Sequence, residues 1–377
     1  MIPFNIPLNL GEEKKYVNEA IDSYKIAGDG VYTKKCEELL QELLGVKKVF
    51  LTCSGTAALE MAYLLANIEK DDEIICPSFT FSTSACAGAL FGGKIAFVDC
   101  RKDNMNIDEE KIEQAINSKT KALLVMHYGS VACNMERIVE ICNKHSLFLI
   151  EDAAQALDAY YKGKALGTFG QAGCFSFHAT KNLAMGEGGA LCLNDDELIE
   201  RAHHLWDSGT DAYDFERGMV SAYSWVDLGS SFLPSELQAA YLYPQLLNAA
   251  SIKEKRVMLW YSYRRQLKEL VDQGKLEIQE LDKNCDINGH LFYIKCKDEA
   301  ERESLRLYLK EKEISAVFHY SPLHSSKAGK KYGYLVGEDK YTTTESKRLL
   351  RLPMYYDLKD SEVSEVVEAI KTFYEER

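Results

Sequence analysis

From about residue 47 the apolar and polar positions of the chain settle into two alternating rhythms. Short apolar runs, "KKVFLTCS", "DEIICPS", "KIAFVDC", "KALLVMHYG" and "LFLIEDAAQ", have the length and composition of buried strands. Between them lie "GTAALEMAYLLANI", with Ala58, Met61, Leu65 and Ile68 at helical spacing, then "TFSTSACAGALFGG", "NIDEEKIEQAI" and "NMERIVEICNKHS", each predicted as a helix. Strands that alternate with helices pair in parallel and carry helices on both faces. The rhythm continues through two strand-like runs, Cys174–Phe177 and Ala190–Leu193, and weakens after about residue 195.

Beyond that point "DDELIERAHHLW" begins a helical stretch, and residues 234–271 read as long helices leading to a second unit. "GHLFYIKC" and "SAVFHYS" are predicted strands around the helix "DEAERESLRLYLKEKE". The expected fold class is α/β: a large domain over 1–248 with a mostly parallel mixed sheet flanked by helices, and a smaller α+β domain over 249–377.

Composition narrows the function classes. With 45 basic against 58 acidic side chains in 377 residues, the net charge is −13, spread along the chain. That balance speaks against nucleic acid or an anionic membrane as a partner, because both need a basic face. Eleven cysteines without a Cys-x-x-Cys pair point to a reducing compartment, hence the cytoplasm, and to neither a disulfide framework nor a metal site. The first residues lack a basic and apolar secretory signal, and no run is long enough to span a bilayer.

In open α/β sheets ligands collect beyond the carboxyl ends of the strands. Several unusual residues fall at such ends. Lys181 stands between two core strands beside the glycines of "GEGGA"; it is either a solvated charge or an amine sheltered so that it can form an imine. "SGT" at 54–56 joins a strand to a helix start, where backbone N–H groups and hydroxyls bind anions or merely cap the helix. Asp152 ends an apolar strand, either as a helix cap or as the partner of a protonated heterocycle. At roughly 4 Å and an effective dielectric near 20 such a pair is worth about 4 kcal/mol, on the order of three pK units. A lysine, an acid and a phosphate cradle together suit pyridoxal 5'-phosphate, whose protonated ring is an electron sink. No G-x-G-x-x-G or Walker A lysine follows a strand, which weakens nucleotide-binding readings.

At these residues the chain resembles the DegT/StrS-type nucleotide-sugar aminotransferases. "SGTAALEM", "CPSFTFSTSACA", "EDAAQA", "YKGKALGTFGQAGCFSFHATKN", "EGGA", "LQAAYL" and "FHYSPLH" carry the resemblance in order, from about Pro3 to Tyr355. It implies the aspartate aminotransferase-like fold and a homodimer with its sites at the interface. It implies Lys181 as the catalytic lysine, joined to the cofactor as an internal aldimine, and Asp152 on the ring nitrogen. Gln155 falls by the phenolic oxygen, Phe81 on the ring face, and Gly55, Thr56 and Ser176 on the phosphate. The family's neighbouring-subunit asparagine is replaced by Ser231 in "LGSSFLPSE".

Within the family, "NMNIDE", "GSSFLPSELQAAYL" and "AVFHYSPLH" are most similar to the members that aminate C4 of dTDP-4-keto-6-deoxy-D-glucose with L-glutamate, giving dTDP-4-amino-4,6-dideoxy-D-galactose. C3 amination of a dTDP-3-keto-6-deoxyhexose, or a non-catalytic cofactor- or sugar-binding regulator, are the alternatives. The resemblance sets His319 and His324 near the sugar nucleotide, although a histidine near a strand end is more often structural. Arg217 is a candidate for an anionic substrate group or an exposed salt bridge. His203 and His204 are expected on a polar surface.

Overall fold

The structure, a computed structural model, describes residues 1–376. Strands β1 (Lys48–Thr52), β2 (Glu73–Pro77), β3 (Lys94–Val98), β4 (Thr120–Met126) and β5 (Phe148–Asp152) alternate with helices. The two-residue strands β6 (Tyr160–Tyr161) and β7 (Lys164–Ala165) follow, then β8 (Ala172–Ser176) and β9 (Gly189–Leu193). The C-terminal part adds β10 (Glu277–Ile278), β11 (Cys285–Asp286), β12 (Phe292–Lys295), β13 (Gly333–Leu335) and β14 (Leu349–Leu352). Eight of these form one sheet in the order β1-β9-β8-β5-β4-β2-β3-β13. Only β9 runs against its two neighbours; the other pairings are parallel.

The period of two along each strand divides the core into layers. Val49 and Leu51 face one side with helices Val31–Leu44, Met135–His145 and Glu236–Leu247. Phe50 faces the other with Gly55–Leu65, Ser82–Leu90 and Asp196–Trp206. The second unit is a three-stranded antiparallel sheet, β10-β12-β14, packed under helices Ala249–Gln266, Glu299–Glu311 and Asp360–Glu375 through Trp260, Tyr263, Leu309 and Val366. We propose that the units meet at Asn248, where helix Glu236–Leu247 gives way to Ala249–Gln266.

Three expectations change. The segment 106–116 forms a 3-10 helix, Glu109–Ala115, in place of an α-helix; Asp108 caps it by accepting from the Glu110 N–H. Residues 315–321 make only a single bridge, Val317 to Arg351, and otherwise run as a loop. And β13, which no periodicity marked, leaves the second unit to pair in parallel with β3. Asp99, just after β3, ties the same region down by accepting from the backbone N–H groups of Lys340, Tyr341 and Thr342. The eleven cysteines are free thiols. Among the described residues no helix is long and apolar enough to cross a membrane.

Candidate active site

A cavity of about 630 Å³ opens beyond the carboxyl ends of the central strands. Its walls bring together Gly55, Thr56, Phe81, Asp152, Gln155, Ser176, Lys181 and His319, residues drawn from five separate stretches of sequence. The parallel pairing is what gathers them: Met126 lies opposite Asp152, and Asp152 opposite Cys174 of β8, so β4 and β5 end level and β8 runs two residues further, to Ser176.

At one end, Ser54 caps helix Gly55–Leu65 by accepting from the Ala57 N–H at 3.0 Å. The Gly55 and Thr56 N–H groups, at the positive end of that helix, keep no acceptor within it. A Cβ on Gly55 would lie 3.0 Å from the Ser176 Cβ, and one on Gly189 would lie 2.5 Å from the Ser54 carbonyl oxygen. Glycine at both positions lets β8, β9 and the helix start close into a cradle of N–H and hydroxyl groups, which fits a phosphate.

Asp152 is buried. Its Oδ2 accepts from the Ser84 hydroxyl at 2.7 Å and its Oδ1 from the Ala154 N–H at 3.1 Å. Next to it, Glu151 points to the far side of the sheet. It accepts from the Gly167, Phe169 and Gly170 N–H groups and lies 3.0 Å from His127 Nε2. The acidic pair therefore divides its labour: Glu151 fastens a loop, Asp152 faces the cavity.

Lys181 follows β8 on a turn closed by its own N–H donating to the His178 carbonyl oxygen. Burial pushes its amine down to about 8; Asp152 opposes that shift and Arg351 adds to it. Phe81 stays largely exposed, 56%, at the cavity mouth, with its ring 6.1 Å from that of Tyr320. Gln155 accepts from the Gly129 N–H and donates to the Tyr320 hydroxyl at 3.0 Å.

His319 lines the cavity, with Nδ1 3.1 Å from the Tyr128 hydroxyl. Burial, with Arg351 and Lys181 close by, keeps its ring far below ordinary histidine basicity. The other sequence candidates stand outside the cavity. His324 is clasped between the Ser78 hydroxyl at 2.6 Å and Asp339 at 3.2 Å. Arg217 lies over the Tyr213 ring and 3.7 Å from Glu200. Ser231 is exposed, in a bridge with Asp207. His203 corrects the surface expectation: it is buried, stacked at 3.6 Å on Tyr213, and pushed down to about 3 by burial.

Two cavity residues escaped the sequence reading. His290, just before β12, is 3.0 Å through Nδ1 from the Asn182 side-chain oxygen, and burial beside Lys181 and Arg256 holds it neutral. Arg351 sits on β14. Its signal was there to read, one cation inside the apolar run "LLRLPM", but only the fold shows which cavity it enters.

A model of the DegT/DnrJ/EryC1/StrS aminotransferase family matches residues 9–371. The chain belongs to that family. GDP-perosamine synthase of Escherichia coli O157:H7 is 32% identical, with 100% of this chain and 99% of that protein aligned. The pleiotropic regulatory protein of Geobacillus stearothermophilus is 34% identical over 92% of this chain and 90% of its own length. Among solved structures, the aminotransferase TlmJ of Streptoalloteichus hindustanus superposes with a TM-score of 0.91 at 26% identity, covering 100% of this chain and 99% of that one. DesV of S. venezuelae gives 0.88 at 27%, covering 99% and 98%.

As a DegT/DnrJ/EryC1/StrS member the chain is a sugar aminotransferase that works with pyridoxal phosphate. The residues present fit that group: the cradle at Gly55, Thr56 and Ser176 for its phosphate, Asp152 for its ring nitrogen, Lys181 for its aldehyde. When bound, the cofactor supplies the electron sink that lets an amino group change carbon. Asp152, fixed by the Ser84 hydroxyl, would face the ring nitrogen of the bound group. Lys181, with its lowered basicity, would be the group to take and return a proton at Nζ.

Proposed function

We propose that the enzyme moves an amino group from L-glutamate to C4 of dTDP-4-keto-6-deoxy-D-glucose, giving dTDP-4-amino-4,6-dideoxy-D-galactose. The observation that carries the chemistry is Lys181 buried at about 8 within electrostatic reach of Asp152. The C4 assignment is supported by the run from "GSSFLPSELQAAYL" to "AVFHYSPLH", whose second segment puts His319 in the cavity wall. GDP-perosamine synthase is named for a GDP-linked sugar, so the base must be tested alongside the ring position.

We assign the active form to a homodimer. Trp225 (76% exposed), Met219, Tyr223 and Leu228 form an exposed apolar stretch around Ser231, which suits burial against a second copy. Ser231 then reaches the partner's cofactor phosphate, where its own cavity leaves it out. Eleven free thiols support a cytoplasmic setting. The deciding experiment is mass and NMR analysis of the product from glutamate with dTDP- and GDP-linked 4-keto-6-deoxy sugars. A C4 amine on the dTDP sugar is the expected product; a C3 amine, or turnover of the GDP sugar alone, replaces this assignment.

A further inference from the structure

Arg351 is a cation without an anion. Its Nε is buried with no hydrogen-bond partner, and Nη2 donates only to the Phe318 carbonyl oxygen at 3.2 Å. The guanidinium lies 4.7 Å from the centre of the Phe4 ring, and no carboxylate pairs with it among the described residues. Buried cations are ordinarily matched: Lys295 has Glu345 at 2.8 Å, and the equally acid-free Arg256 gives its protons to the Gly289, His290 and Met354 carbonyl oxygens. Arg351 has one carbonyl oxygen for up to five donors.

Its surroundings name the missing partner. Two of the histidines in the cavity wall, His290 and His319, are neutral, and Arg351 and Lys181 are the arginine and the lysine that line it. Arg351 is near enough to Lys181 to depress that amine. An anion here therefore sits beside the reacting nitrogen. In an amino acid the carboxylate is bonded to the very carbon that carries the amino group. In a nucleotide sugar the diphosphate hangs from C1, across the ring from C4, and the cofactor phosphate has its own cradle at Gly55. A planar fork of donors matches a carboxylate in two parallel hydrogen bonds.

We infer that Arg351 is the donor-specificity residue, binding the α-carboxylate of the amino-acid substrate through its unpaired Nε edge. This builds on the aminotransferase assignment above and adds a division of the cavity: Arg351 serves the amino donor and takes no part in holding the sugar nucleotide.

Transamination proceeds in two separable halves, so the division can be measured on the holoenzyme. Absorbance follows conversion of the pyridoxal to the pyridoxamine form by glutamate, which leaves as 2-oxoglutarate, and the same conversion by the aminosugar nucleotide, which leaves as the keto sugar. Arg351→Gln should raise the half-saturating glutamate concentration about 100-fold, the loss expected for charge-assisted hydrogen bonds. Arg351→Lys, which keeps the charge and loses the fork, should fall between. Half-saturation by the aminosugar nucleotide should move less than about twofold, which also shows that the variants fold and hold cofactor. Calorimetry with glutarate and with dTDP repeats the comparison without turnover: glutarate binding weakens, dTDP binding does not. Equal losses for donor and sugar, or weakened dTDP with unchanged glutarate, overturn the inference. Failure of the wild-type enzyme to accept any amino acid overturns instead the function on which it rests.

Discussion

An amine of ordinary basicity, near 10.4, is almost wholly protonated at neutral pH. At about 8, roughly one Lys181 in ten is free at pH 7, because burial removes the water that would stabilise its charge. Only the free amine attacks an aldehyde. Capture of pyridoxal phosphate by the apoenzyme should therefore accelerate roughly tenfold per pH unit up to about 8 and level off above it; a rate still climbing at pH 9.5 would contradict the lowered basicity. Lys181→Ala should abolish turnover and the absorbance band of the lysine-bound cofactor together. Asp152→Asn leaves a neutral amide facing the ring nitrogen. With about 4 kcal/mol at stake, turnover should fall on the order of 10³-fold while the cofactor stays bound, as its absorbance would show. These two residues were legible in the sequence because each interrupts an apolar pattern at a strand end. Arg351 interrupts one just as plainly, yet its strand belongs to the second unit, and no periodicity tells which cavity a distant strand faces.

At the scale of elements, most of the alternating core from 47 to 155 was readable because its strands are short apolar runs buried on both faces and helices separate them. The start of helix Val31–Leu44 was not. Gly30, its capping residue, has no side chain to offer; the cap comes from Glu236, more than 200 positions away in sequence. That carboxylate accepts from the N–H groups of Gly30, Tyr32 and Thr33 and from the Thr33 hydroxyl. Glu236→Ala strands these donors in a buried place and should cost about 3 kcal/mol, read as a lower denaturation midpoint with unchanged slope. Glu236→Gln, which can still accept, should lose less. The 3-10 segment 109–115 and the loop at 315–321 were misread because their patterns suit regular elements: Asp108 caps the first locally, and the second pairs only through the single bridge of Val317 with Arg351.

For the whole molecule, the proposed homodimer assigns the exposed apolar stretch around Trp225 to its interface. Sedimentation at micromolar concentration should give a dimer, and Trp225→Glu with Met219→Glu should shift it toward monomer and reduce activity in parallel. A dimeric double variant would remove that surface from the proposed interface. The pairing of β13 with β3 bears on how the protein is made. The large sheet opens with β1 at residue 48 and is finished by residues 333–335. A nascent chain that has emerged only as far as residue 330 thus presents β3 as a bare edge, with its backbone donors and acceptors open to any neighbouring strand. Until residues 333–335 can fold back, that uncovered edge favours strand-to-strand sticking, the hazard that a ribosome-bound holdase would relieve.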